Sequence, residues 1–111
     1  MMLYIFNTLV IPCDFSKSDS FNVRLRKVEV EEAREILKNS KFVSAIGHAA
    51  TADMLSEILN AEIPMNRISV RMDIGDRGLH FMLHQRLPEG KILTRSELEG
   101  LKYDLILSEI V

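Results

Sequence analysis

The chain opens on an apolar run, Met2-Leu3-Tyr4-Ile5-Phe6, which resumes after Asn7 and Thr8 as Leu9, Val10 and Ile11 and stops at Pro12. Aromatic and β-branched residues without polar alternation mark a strand buried on both faces, so residues 2 to 11 are predicted as one such strand. Asp14 to Ser20 is a polar, serine-rich connection. Val23, Leu25, Val28 and Val30 then suggest a short, partly exposed strand.

From Glu31 the period becomes helical. Ala33, Ile36 and Leu37 share a face, while Glu31, Glu32 and Glu35 gather near a helix start, where the dipole favours negative charge. Asn39 and Ser40 end that helix. A second helix is expected from His48 to Asn60, with Ala52, Leu55, Ile58 and Leu59 as its buried stripe and Gly47 at its start. After Pro64, the residues Ile68, Val70 and Met72 alternate with Ser69 and Arg71 as in a half-buried strand. Gly75-Asp76-Arg77-Gly78 reads as a turn. Leu79, Phe81, Leu83 and Gln85 then take one face of a further strand and His80, Met82 and His84 the other, so residues 67 to 86 are expected to form a β-hairpin. Thr94 and Glu97 have the spacing of a capping box and open a short helix to about Gly100. Leu105, Leu107 and Glu109 alternate with Ile106 and Ser108 in a closing strand. The fold class is α/β: one domain over residues 1 to 111, with a central mixed sheet of about five strands flanked by three helices.

Composition narrows the class further. A chain of 111 residues is one domain by length and buries roughly two-thirds of the surface that its unfolded form exposes. Its 14 Lys and Arg against 16 Asp and Glu argue against a broad basic coat for nucleic acid, although a local basic focus remains compatible with them. Cys13 is the only cysteine, so it reads as an apolar filler in a reducing compartment. The opening stretch lacks the basic leader and length of a signal peptide, and no run approaches the ~20 apolar residues that span a bilayer. A cytoplasmic protein with no membrane partner is the expectation.

Two segments could carry chemistry. In Ser44-Ala45-Ile46-Gly47-His48, glycine allows close backbone approach at a helix start, where free N–H groups suit phosphate, and histidine brings a group that titrates near neutral pH. On the motif alone, a capping or packing role for His48 stands beside the catalytic one. Gln85-Arg86-Leu87-Pro88-Glu89-Gly90-Lys91 sets a guanidinium, a carboxylate and an ammonium close together. Arg86 can fork onto phosphate, and Glu89 can orient a hydroxyl or a histidine; the same segment also reads as a solvated turn. Asn7 and Arg67 stand at strand ends, which commonly border ligand crevices. His80 and His84 are spaced four apart on one strand face, but no third ligand accompanies them, so no metal or other cofactor is expected.

The string from Ser44 to Ala52, followed by Pro64-Met65-Asn66-Arg67 and then Gln85-Arg86-Leu87-Pro88-Glu89-Gly90, resembles the type III anti-CRISPR ring nucleases, small proteins of archaeal viruses with bacterial relatives. The first strand through Asn7 and the closing Glu109-Ile110 extend the resemblance to nearly the whole chain. It implies a five-stranded mixed sheet, a homodimer with a pocket at its interface, and metal-independent cleavage of cyclic tetra-adenylate. Carried over residue by residue, it places the catalytic histidine at His48 and the pocket arginine and glutamate at Arg86 and Glu89. Asn7, Gly47 and Arg67 would contact the ligand. Thr8-Leu9-Val10-Ile11 departs from the pattern, being more apolar than in some relatives where hydroxyl groups touch the ligand. The competing expectations are a non-enzymatic dimer gripping duplex DNA through Arg67, Arg71, Arg86 and Lys91, and a sponge that holds the ring without cutting it.

Overall fold

The computed structural model describes residues 1–84 and 100–111. Among them are five strands, β1 (Leu3–Phe6), β2 (Val23–Val28), β3 (Phe42–Ser44), β4 (Arg77–Leu83) and β5 (Tyr103–Ile110), and two helices, α1 (Val30–Lys38) and α2 (Ala49–Leu59). The strands form one mixed sheet in the order β2-β5-β4-β1-β3. β1 runs parallel to both β3 and β4, whereas β5 is antiparallel to β4 and β2.

The alternation read along the strands decides what covers each face. Leu3 and Ile5, Leu79 and Phe81, and Leu105 and Leu107 point to one face, where Ala33 and Leu37 of α1 and Ala52, Leu55 and Leu59 of α2 complete the main core. The helices are tied together where the middle of α1 meets the end of α2: Arg34 donates from Nε and Nη2 to the carbonyl of Ile58, at 3.1 and 2.8 Å. Asn60 ends α2 in the left-handed conformation, with φ 50°, a role that asparagine fills better than most residues. On the opposite face Phe6, Met72 and Ile110 form a second, smaller cluster, joined by Tyr4, Ile11 and Phe21.

Two expectations need correction, and one element was not anticipated. The hairpin over residues 67 to 86 does not form, because β1 and β5 already occupy both sides of β4. Arg67, Ile68 and Ser69 are exposed instead, and only Met72 of that stretch pairs, in a single bridge to Cys13. Its alternation reflects Val70 and Met72 packing on the second cluster. The first strand ends at Phe6 rather than residue 11, since Asn7 and Thr8 bend the chain out of the sheet and Ile11 returns against its face. β3, three residues long, was not anticipated; it is too short to show a period. The helix expected from Thr94 falls largely outside the described residues, as do Gln85, Arg86, Glu89 and Lys91.

Candidate functional site

The parallel pairing of β1 with β3 sets their carboxyl ends side by side, with Ile5 in register with Ser44 and Ala45 N–H donating to the carbonyl of Ile5 at 2.8 Å. Beyond that edge the chain leaves β1 through Asn7 and leaves β3 through Ala45 to His48, where α2 begins. Ligands of open α/β sheets commonly sit outside the carboxyl ends of parallel strands.

A third segment is stitched onto this edge. Ser44 Oγ donates to the carbonyl of Pro64 at 2.6 Å, Asn66 Nδ2 donates to the carbonyl of Ser44 at 2.8 Å, and Asn66 N–H donates to the carbonyl of Ile46 at 2.8 Å. Arg67 is thereby laid across Gly47. Its Nε donates to the Gly47 carbonyl at 2.8 Å, and its Cγ lies 3.4 Å from where a Cβ on Gly47 would stand. That bond uses Nε alone and leaves both terminal amino groups of the guanidinium uncommitted to it.

The result is an open hollow of about 530 Å³ lined by Asn7, Ala45, Gly47, His48, Arg67, Ile68 and Ser69. Its described lining contains a guanidinium, an imidazole, an amide and a hydroxyl, and no carboxylate. His48 is the N-cap residue of α2, yet its side chain makes no capping hydrogen bond and is exposed. The first turn of α2 carries no acidic residue, whereas that of α1 carries Glu31 and Glu32. The positive end of the α2 dipole therefore meets no carboxylate of its own first turn.

Four residues expected to act together, Asn7, Gly47, His48 and Arg67, are thus brought to one place. Arg86 and Glu89, expected beside them, lie outside the described residues. Ser44 and Asn66, which position the hollow, were present in the quoted strings, but nothing in their spacing announced a structural staple. His80 and His84 separate: His80 is buried against Thr8 and Ser108, while His84 Nε2 lies 2.8 Å from Asp104 Oδ2. Lys27 joins Asp104 at 3.1 Å, and these two contacts hold the Asp104 carboxyl below its ordinary range, the lysine first.

The family described as STIV B116-like matches this chain over residues 3–105. The chain belongs to that family. This STIV B116-like protein is 44% identical over 111 residues to "Uncharacterized protein 26" of Sulfolobus islandicus filamentous virus, covering 99% of this chain and 92% of the relative. It is 40% identical over 108 residues to "Uncharacterized protein ORF117" of Acidianus two-tailed virus, covering 95% and 90%. Among solved structures, B116 of Sulfolobus turreted icosahedral virus superimposes with a TM-score of 0.80 at 24% identity, over 98% of this chain and 99% of that one, which shows a shared fold. No helix among the described residues is long and apolar enough to cross a membrane.

Proposed function

We propose that the hollow binds the phosphodiester backbone of cyclic tetra-adenylate and that the protein is a metal-independent ring nuclease. The observation that carries this reading is the lining itself: Arg67, His48, Asn7 and the start of α2 converge on one concavity that no described carboxylate enters. Such a surface suits an anion and gives it both a planar donor and a proton carrier.

In the proposed reaction a ribose 2'-hydroxyl of the ligand attacks the adjacent phosphorus and the bond from phosphorus to the 5'-oxygen breaks. His48, as imidazolium, gives its proton to the departing 5'-oxygen, and the proton of the attacking hydroxyl passes to Glu89 or to water. Arg86 would neutralise charge growing on the phosphate. The nucleophile belongs to the substrate, so the scheme asks for no metal. Cleavage on opposite sides of the ring yields linear di-adenylate ending in a 2',3'-cyclic phosphate, and so removes the messenger of type III CRISPR immunity.

A ring of four nucleotides outsizes one such hollow. A two-fold dimer matches the symmetry of the ring and closes the open side of each hollow with a second copy, presenting one His48 to each of two opposite phosphates. The test is incubation of the protein with labelled cyclic tetra-adenylate in excess chelator. Linear product is the expected result; retention of the intact ring on the protein identifies a sponge, and neither outcome returns the reading to a nucleic-acid-binding dimer. Arg71 is a weaker candidate for duplex phosphates than its exposure suggests, because Asp14 Oδ1 stands 3.7 Å from its Nη1.

A further inference from the structure

On the sheet face away from the helices, one imidazole is built into a position where a hydrocarbon would pack. His80 of β4 is fully buried, beside the equally buried Ser108 of β5. Its ring stacks on Phe6, its register partner in β1, at a centroid distance of 4.9 Å and an interplanar angle of 7°. Both ring nitrogens are engaged: Nδ1 lies 3.1 Å from the Thr8 carbonyl and Nε2 lies 2.8 Å from Ser108 Oγ. A carbonyl can only accept, so Nδ1 carries the hydrogen; Nε2 then offers a lone pair, and the Ser108 hydroxyl donates to it. Gly78 stands directly opposite Ser108 and makes room for the pair, since a Cβ there would fall 2.6 Å from Nε2 and 2.7 Å from Oγ.

The Ser108–His80 bond has the sense of a nucleophile and its base, but both residues are sealed from solvent, so no substrate can reach the hydroxyl. What the ring does touch is informative. Phe6 and Thr8 are the two neighbours of Asn7, and Asn7 lines the hollow. β1 ends at Phe6, so no strand ladder orients the residues that follow it.

We propose that His80 is a positioning residue for the site: by stacking on Phe6 and donating Nδ1–H to the carbonyl of Thr8, it holds Asn7 from both sides and aims it into the hollow. Ser108 and Gly78 serve the same end by fixing the tautomer and tilt of the ring. The functional consequence rests on the reading of the hollow as a ligand site; the ordering of Asn7 does not.

Two substitutions separate the two ring nitrogens. In His80→Asn the amide nitrogen falls near the place of Nδ1 and can still donate to Thr8, while Ser108 loses its partner. In His80→Gln the amide reaches toward Ser108, and the Thr8 bond is lost. Both lose the stacked ring, so both lower the melting temperature. Nitrogen-15 relaxation of the ligand-free proteins is expected to show added fast motion at Asn7 and Thr8 in both variants, larger in His80→Gln, which loses the stack and the Thr8 bond, than in His80→Asn, which loses the stack alone. Affinity for cyclic tetra-adenylate should weaken roughly 3- to 10-fold in His80→Gln, about the worth of one hydrogen bond, and recover in part in His80→Asn.

Equal loosening of Asn7 in both variants, or in neither, overturns the proposal and leaves His80 as core filler. A wild-type imidazole nitrogen spectrum settles the same point without any variant: an Nε2–H tautomer removes the donor to Thr8 and sinks the idea, whereas Nδ1–H supports it. Should the wild-type protein ignore the ring while Asn7 loosens more in His80→Gln than in His80→Asn, the functional reading falls and the positioning role stands.

Discussion

Arg67 Nε donates to the carbonyl of Gly47 across 20 residues of sequence, so the guanidinium is oriented by the backbone of the glycine that precedes His48. A fork held this way acts through its geometry as well as its charge. Arg67→Lys keeps the charge and loses the fork. It should weaken binding of cyclic tetra-adenylate by about tenfold or more, the scale of one charge-assisted hydrogen bond, and leave thermal stability nearly unchanged because the residue is exposed. Wild-type affinity in a calorimetric titration of Arg67→Lys would show that charge alone matters there.

His48 makes no capping bond, so removing its imidazole takes away chemistry and leaves the helix start as it was. His48→Ala is expected to slow single-turnover cleavage by ~10²- to 10⁴-fold, the usual worth of general acid catalysis, with binding largely retained. Cleavage at the wild-type rate would remove His48 from the mechanism.

Gly78→Ala drives a methyl group into the contact between His80 and Ser108. Overpacking of this kind costs about 1–3 kcal/mol, and the loss should appear as a lower urea midpoint. In a Ser108→Ala background part of the collision is relieved, so the same glycine substitution should cost less. Strict additivity across that double-mutant cycle would mean that the two positions do not share the space.

Burial pushes the His80 imidazole below the ordinary histidine range, and its bond to the Thr8 carbonyl offsets this only in part. The folded state therefore prefers the neutral ring. Its contribution to stability is fully present above the unfolded histidine pKa of ~6.5 and is lost as pH falls from there through the folded value. Asp14, Asp104 and Glu32 are shifted downward in the fold, so their contributions are lost only in the more acidic carboxylate range. Urea midpoints of the wild-type protein should fall between pH 7 and pH 5 more steeply than those of His80→Asn; equal slopes would assign the loss to other groups.

Much of this fold was legible because two periods are hard to mistake. Ala33 and Leu37, and Ala52, Leu55 and Leu59, gave helices α1 and α2 nearly to the residue, and Leu105 and Leu107 gave β5. The failures share a cause: local pattern does not say which strand lies beside which. Ile68, Val70 and Met72 alternate like a strand next to β4, but a parallel β1 from the far end of the chain takes that place. β3 was missed because three residues carry no period, and nothing set His80 apart from Met82 and His84 on its face, because the second cluster beside it is assembled from the distant Phe6, Met72 and Ile110. In the site, Gly47 and His48 could be marked from residue type and spacing. The bonds that bring Arg67 onto them depend on Ser44 and Asn66, whose hydroxyl and amide could have served anywhere on the surface.

β3 lies at the border of the sheet, three residues long and, among the described strands, paired with β1 alone, yet the loop that leaves it supplies Ala45, Gly47 and His48. Short, one-sided segments are where domains open first. Any molecule that needs this border seated must therefore tighten it by mass action, and the heat resistance of the whole domain becomes a gauge of how much free ligand surrounds it.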